Sequence, residues 1–244
     1  MPVREDTVAP IWEDVRRNAE ASNAVLDLII RGRVGVLPLF ECDPALFAEV
    51  RDEAVALSDA HSGQALDSQH PTAKYVKAND PSWSVKPNTI HQYSLYNSHN
   101  DVLFNDEDHH WHATPRRFNS RLTAIPRFFH RYFGGSELQN FRMQSIRGGG
   151  DLGLHREKIV GIPNREQHYK LRFHLPIVTN PGVRFMMDGQ SYTMKAGWVH
   201  LFNQACMHGV ENKGDALRIH LVFDCYLNNC ILQQVIAPAL TATL

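Results

Sequence analysis

Between residues 138 and 226 apolar and polar side chains alternate in short runs, and Gly, Pro, Asn and Asp stand between the runs. A repeat of two is the repeat of an extended strand whose two faces meet different surroundings. The runs cover residues 140–146, 171–178, 183–187, 190–194, 198–202 and 217–226. So many short strands in succession fold as a sandwich or a barrel, which makes the chain mainly β with flanking helices.

Upstream the pattern is helical. Trp12, Val15, Ala19, Leu26, Ile29 and Ile30 follow helical spacing and Gly32 ends it. Asp43 and Pro44, followed by Leu46, Phe47, Val50, Ala54 and Leu57, predict a capped helix, with a short strand before it at 34–40. A further helix is expected over 121–133, closed by Gly134 and Gly135. Residues 59–120 lack periodicity and read as long loops with a short strand near 92–96, the kind of segment that shapes an active site. The expected organisation is one structural domain: helices and substrate-covering loops over 1–135, a catalytic core over 136–230 and a tail over 231–244.

The net charge of -1 offers no global basic field for nucleic acid or an anionic membrane. No run approaches the roughly 20 apolar residues of a spanning helix. The N-terminus lacks the basic-then-apolar pattern of a secretion signal, so a cytoplasmic protein is expected. Cys42, Cys206, Cys225 and Cys230 form no CxxC pair and read as idle thiols.

The sharpest local feature is Leu154-His155-Arg156-Glu157. Residues two apart on an extended strand share a face, so His155 and Glu157 can grip one ion. Fe(II) held by two imidazoles and one carboxylate keeps positions open for a cosubstrate and dioxygen, and His208 is the candidate for the second imidazole. The spacing alone is weak evidence, because a chain with 14 histidines also produces it from a surface ion pair and unrelated rings. Two later strands add weight: Arg172 and His174 share one face, as do Arg218 and His220, and such Arg-x-His pairs suit a dicarboxylate. Solvated strand faces would give the same alternation.

The segments Arg172-Phe-His-Leu-Pro-Ile177, Gly197-Trp-Val-His-Leu-Phe-Asn203, His208-Gly-Val-Glu-Asn212 and Arg218-Ile-His-Leu-Val-Phe-Asp224 stand in this order. Together, over residues 140–226, they resemble the aspartyl/asparaginyl β-hydroxylase family, which includes bacterial hydroxylases of free amino acids. The resemblance implies a double-stranded β-helix core (a cupin-like jelly roll), with Fe(II), 2-oxoglutarate and O2 as cofactor and cosubstrates. It implies Fe(II) at His155 and His208, 2-oxoglutarate anchored by Arg218, and Arg172, His174 and Ser145 lining the cosubstrate pocket. The family usually has Asp two residues after the first His; Glu157 is longer by one methylene. With Glu157 as third ligand the protein leaves no ligand position for a halide, which favours hydroxylation.

The substrate is expected at the loops before the barrel, at Trp83, His91, Arg116, Arg117 and Arg121, with Tyr93 and Trp111 nearby; Arg suits a substrate carboxylate. A small-molecule substrate, a free amino acid or derivative, is the first expectation. A peptide- or carrier-bound residue, or a jelly-roll binding protein without redox chemistry, are the alternatives. His109, His110 and His112 are read as solvated residues of an acidic loop.

Overall fold

A computed structural model describes residues 35–60, 90–96, 118, 120–157, 170–228 and 230–239. The expected helix over 11–31, Trp83, the histidines 109, 110 and 112, Trp111, Arg116 and Arg117 lie outside these residues, as do the side chains of His91 and Tyr93.

The chain enters as β1 (Val36–Glu41) and α1 (Pro44–Ala60), followed by β2 (Ile90–Ser94), α2 (Ala124–Phe133) and β3 (Leu138–Ile146). Then come β4 (Asp151–His155), β5 (Lys170–Val178), β6 (Val183–Met187), β7 (Gln190–Tyr192), β8 (Trp198–Phe202), β9 (His208–Asn212) and β10 (Arg218–Tyr226). A helical turn, Ile231–Ile236, ends the described chain. The strands form a six-stranded sheet in the order β1-β8-β5-β10-β3-β2 and a four-stranded sheet in the order β4-β9-β6-β7. All the strand pairs are antiparallel. This is the expected jelly roll.

Alternation decides which side chains face which layer. On β3, β5 and β10 the odd positions Phe141, Met143, Phe173, Leu175, Leu221 and Phe223 join the core beneath the helices. Phe133 of α2 packs edge-on against Phe223 at 4.8 Å and Phe173 at 5.0 Å. Each such ring taken from water contributes about 1.5–3 kcal/mol. A second cluster fills the space between the sheets, where Ile90, Ile146 and Phe202 of the larger sheet meet Val183, Phe185, Met187 and Val210 of the smaller one. The even positions of β5 and β10 therefore point into the barrel.

The helices begin where carboxylates can receive their free N–H groups. The Leu46 amide donates to Asp43 Oδ1 at 2.9 Å, with Pro44 in the first turn. At α2 the carboxylate is borrowed: the amides of Thr123, Ala124 and Ile125 donate to Glu53 of α1. This helix starts at Ala124 rather than at 121, because Pro126 has no N–H for a turn begun earlier. The β6–β7 hairpin turns on Asp188 and Gly189, both with positive φ, as a two-residue loop of this hand requires. The strand expected over 190–194 is shorter, and β9 was not predicted, because His-Gly-Val-Glu-Asn carries little alternation.

Among the described residues no helix is long and apolar enough to cross a membrane.

Candidate metal and cosubstrate site

β4 and β9 are neighbours in the small sheet, and their register sets His155 directly opposite His208. The two rings lie with centroids 4.2 Å apart, both buried. Each ring is oriented by the backbone carbonyl two residues before it. Nδ1 of His155 sits 2.8 Å from the Gly153 carbonyl, and Nδ1 of His208 sits 2.8 Å from that of Cys206. A carbonyl only accepts, so Nδ1 carries the proton in both rings and a lone pair remains on each Nε2. Burial pushes His208 below its ordinary pKa, partly countered by Glu157, which favours that neutral form.

Both lone pairs face Glu157. Its Oε1 lies 3.6 Å from His155 Nε2 and 3.8 Å from His208 Nε2. The three ligand atoms lie within 4.8 Å of one another, so one ion can touch them all. The predicted trio does come together, by a route different from strand alternation. β4 ends at His155, and Glu157 lies past the strand end, where its amide donates to the Gln204 carbonyl at 2.9 Å.

The Glu157 carboxylate is also gripped from the larger sheet. Arg172 Nη1 donates to Oε1 and Nη2 to Oε2 at 2.8 Å. The same guanidinium donates through Nε and Nη2 to both oxygens of Asp224, at 2.8 and 3.0 Å. Asp224 also accepts from Asn140 at 3.0 Å and has Lys170 Nζ at 3.7 Å. Burial alone would raise the Glu157 pKa, but the charge of Arg172, with the hydrogen bonds from its guanidinium, holds it well below the usual carboxylate range. Asp224 is held low in the same way, Arg172 outweighing burial.

Arg218 is the opposite case. It is fully buried at 0% exposure, and Nη1 donates to Gln144 Oε1 at 2.7 Å. Its Nε and Nη2 have no partner among the described residues. Its guanidinium carbon stands 5.1 Å from the centre of the Phe185 ring, and burial without an anionic neighbour pushes its pKa down to about 9. Beside it His174 and His220 share a contact between Nδ1 atoms at 3.4 Å, and each leaves a buried Nε2 unpaired among the described residues. Burial, then the charge of Arg218, keeps both rings neutral. In a neutral pair one Nδ1 donates and the other accepts, so one Nε2 is left as a donor and one as an acceptor. A run of rings links this end to the metal ligands: His208 to Phe202 is 4.8 Å, and Phe202 to His174 is 4.7 Å.

These residues fit Fe(II) and a dicarboxylate. Two imidazole nitrogens with one carboxylate are the donor set suited to Fe(II) with open positions. Unpaired guanidinium N–H groups buried beyond the reach of water call for an anion.

Two sequence expectations change. Ser145 does not line this pocket: it pairs with Ile219, whose side chain belongs to the core beneath the helices. The residue facing inward is Gln144, paired with His220, because a shift of one residue reverses the face. Arg172 faces the barrel as expected, yet four of its five N–H groups are engaged by Glu157 and Asp224. Arg121 is exposed at the turn before α2. Reasoning from sequence missed Gln144 and His200. The alternation of Phe141 and Met143 against Arg142 and Gln144 carried the signal for the first. His200 pairs with His174 across β8 and β5, and burial pushes it down to about 4.

A family model described as aspartyl/asparaginyl β-hydroxylase matches residues 45–227. No curated protein matches the chain. Similar solved structures include an oxidoreductase of the 2OG-Fe(II) oxygenase family from Burkholderia pseudomallei, with 14% identity, 78% of this chain and 95% of that one covered, and a TM-score of 0.42. A nickel complex of the non-heme monooxygenase ThoJ has 16% identity, coverages of 83% and 77%, and a TM-score of 0.43. A viral collagen prolyl hydroxylase from Paramecium Bursaria Chlorella virus-1 has 8% identity, coverages of 72% and 90%, and a TM-score of 0.40.

Proposed function

The chain belongs to the aspartyl/asparaginyl β-hydroxylase family, a family of Fe(II)- and 2-oxoglutarate-dependent oxygenases, and from that premise we propose that it hydroxylates a C–H bond of a small polar substrate, a free amino acid or derivative. In this reading His155, Glu157 and His208 hold the iron and Arg218 holds the distal carboxylate of 2-oxoglutarate. Bound iron with 2-oxoglutarate and O2 supplies the oxidising power, one oxygen atom entering the substrate as 2-oxoglutarate becomes succinate and carbon dioxide.

The observation that carries the reading is the contrast between the two ends of one buried row. At one end two Nε2 lone pairs and a carboxylate converge. At the other, a buried cation keeps two of its nitrogens, Nε and Nη2, unpaired among the described residues. The chain's own residues orient both imidazoles through backbone carbonyls, keep the His174–His220 pair neutral, and surround the site with Phe185 and Phe202, which exclude water. Substrate recognition is assigned to the basic residues ahead of the barrel, Arg116, Arg117 and Arg121, with His91 and Trp83, because guanidinium suits a substrate carboxylate.

The test is succinate formation from 2-oxoglutarate with Fe(II) and O2 against a panel of free amino acids and of short peptides. Stimulation by a free amino acid, with a product heavier by one oxygen atom, supports the proposal. Stimulation by peptides alone would overturn the substrate assignment.

A further inference from the structure

We propose that Arg172 and Asp224 form a clamp that sets the Glu157 carboxylate in place for the metal, so that Arg172 is a positioning residue and not a direct ligand of 2-oxoglutarate. The inference rests on the reading of Glu157 as a ligand.

Of the three side chains that converge on the metal site, Glu157 is the least constrained by its own backbone. It lies beyond the end of β4, and its side chain is 33% exposed, whereas His155 and His208 sit on paired strands. A free carboxylate there would sample several rotamers. What fixes it comes from the other sheet. Arg172 on β5 grips both carboxylate oxygens, and Asp224 on β10, fully buried, holds the opposite edge of the guanidinium through two further bonds. Arg172 and Asp224 are directly paired in the register of β5 and β10, so the clamp is built on adjacent strands in the middle of the sheet.

The charges support this assignment. Arg172 and Lys170 face Asp224 and Glu157, so the cluster is balanced with no added anion. One N–H of Arg172 remains, too few for a bidentate grip on a further carboxylate while both partners stay. Arg218 has the reverse status: its Nε and Nη2, three N–H groups together, are unpaired, and no carboxylate pairs with it among the described residues. The clamp also gives the extra methylene of Glu157 a purpose: the carboxylate reaches from beyond the strand end to face both imidazoles and Arg172 at once. Aspartate, shorter by about 1.5 Å, would give up one of these contacts.

Binding of Co(II) to the whole chain without 2-oxoglutarate tests this, because affinity and the visible Co(II) spectrum report the ligand set directly. Arg172→Lys keeps a cation beside Asp224 but loses the two-sided fork, and Asp224→Asn loosens the clamp away from the metal. Each should weaken Co(II) binding about 10–100-fold and shift the spectrum toward that of Glu157→Gln. Adding Arg172→Lys to Glu157→Gln should cost nothing further, since both changes remove one interaction. Thermal melting identifies a variant that does not fold; if Arg172→Lys is one, Asp224→Asn carries the test. Wild-type Co(II) affinity and spectrum in the folded variants, with only 2-oxoglutarate binding weakened, would make Arg172 a cosubstrate ligand and overturn the clamp. Failure of the wild-type chain to bind Co(II) would instead overturn the metal-site reading beneath it.

Discussion

Replacing Arg218 by Met, which keeps most of the stem and removes the charge, should separate binding from stability. In the protein without cosubstrate the guanidinium is buried with a single hydrogen bond and no anion among the described residues, and burial lowers its pKa by more than three units from the ordinary arginine value, to about 9. At about 1.4 kcal/mol per tenfold change, that depression is a cost of about 5 kcal/mol, an upper bound before local relaxation. Met removes this cost and leaves Gln144 Oε1 without its donor, a loss of about 1–3 kcal/mol. The variant should therefore be at least as stable as the wild type by urea denaturation. Its affinity for 2-oxoglutarate should fall by about 2–4 kcal/mol, the worth of a charge-assisted pair, or about 30-fold to about 900-fold. Metal affinity should hold, because Arg218 touches none of the three metal-site side chains. The assay is calorimetric titration of 2-oxoglutarate into Mn(II)-loaded protein beside a denaturation curve. A folded Arg218→Met chain that binds 2-oxoglutarate as the wild type does would refute the reasoning, as would one that is markedly destabilised.

Glu157→Ala should lower Fe(II) affinity by more than the about 10–100-fold that loss of a supporting group costs and abolish substrate-dependent succinate formation, with Glu157→Asp intermediate; near wild-type turnover in the Ala form would make the site a two-histidine one. Stability of the metal-free protein should fall as the pH drops below 6.5. His200 is held down at about 4, so below its ordinary 6.5 the unfolded chain takes up a proton that the folded chain refuses. This ring alone removes about 2 kcal/mol between pH 6.5 and 5, and His174 and His220 act in the same direction; a urea midpoint that is flat over this range would contradict the placement of these rings. Gly209→Ala would set a Cβ 2.8 Å from the Leu152 carbonyl, between the two histidine-bearing strands. It should destabilise the chain by about 1–3 kcal/mol and weaken metal binding, and unchanged melting would show that β4 and β9 are not so closely apposed.

The β core was legible because alternation is a local property. Leu171 to Ile177 and Ile219 to Phe223 announce which face is buried under the helices, and the Arg172/His174 and Arg218/His220 pairs follow on the other face. What alternation cannot give is the register between strands, and there the reading slipped. Ser145 and Gln144 are neighbours in sequence and opposites in space, and only pairing with Ile219 and His220 decides between them. Glu157 was found for a reason that the structure replaces: it does not share a strand face with His155 but is drawn to it by Arg172, 15 residues away in sequence. Such long-range pairing of buried charges leaves no periodic trace. Asp224 looked like one more polar residue on the inner face until its contact with Arg172 gave it a partner.

The most direct test of the account is an anaerobic titration of the wild-type chain with Fe(II) and 2-oxoglutarate, followed by visible absorption. The account predicts a charge-transfer band that needs both components, saturates at one equivalent of each and is lost in His155→Ala and His208→Ala. Absence of the band in folded wild-type protein, or its persistence without these two imidazoles, would contradict it.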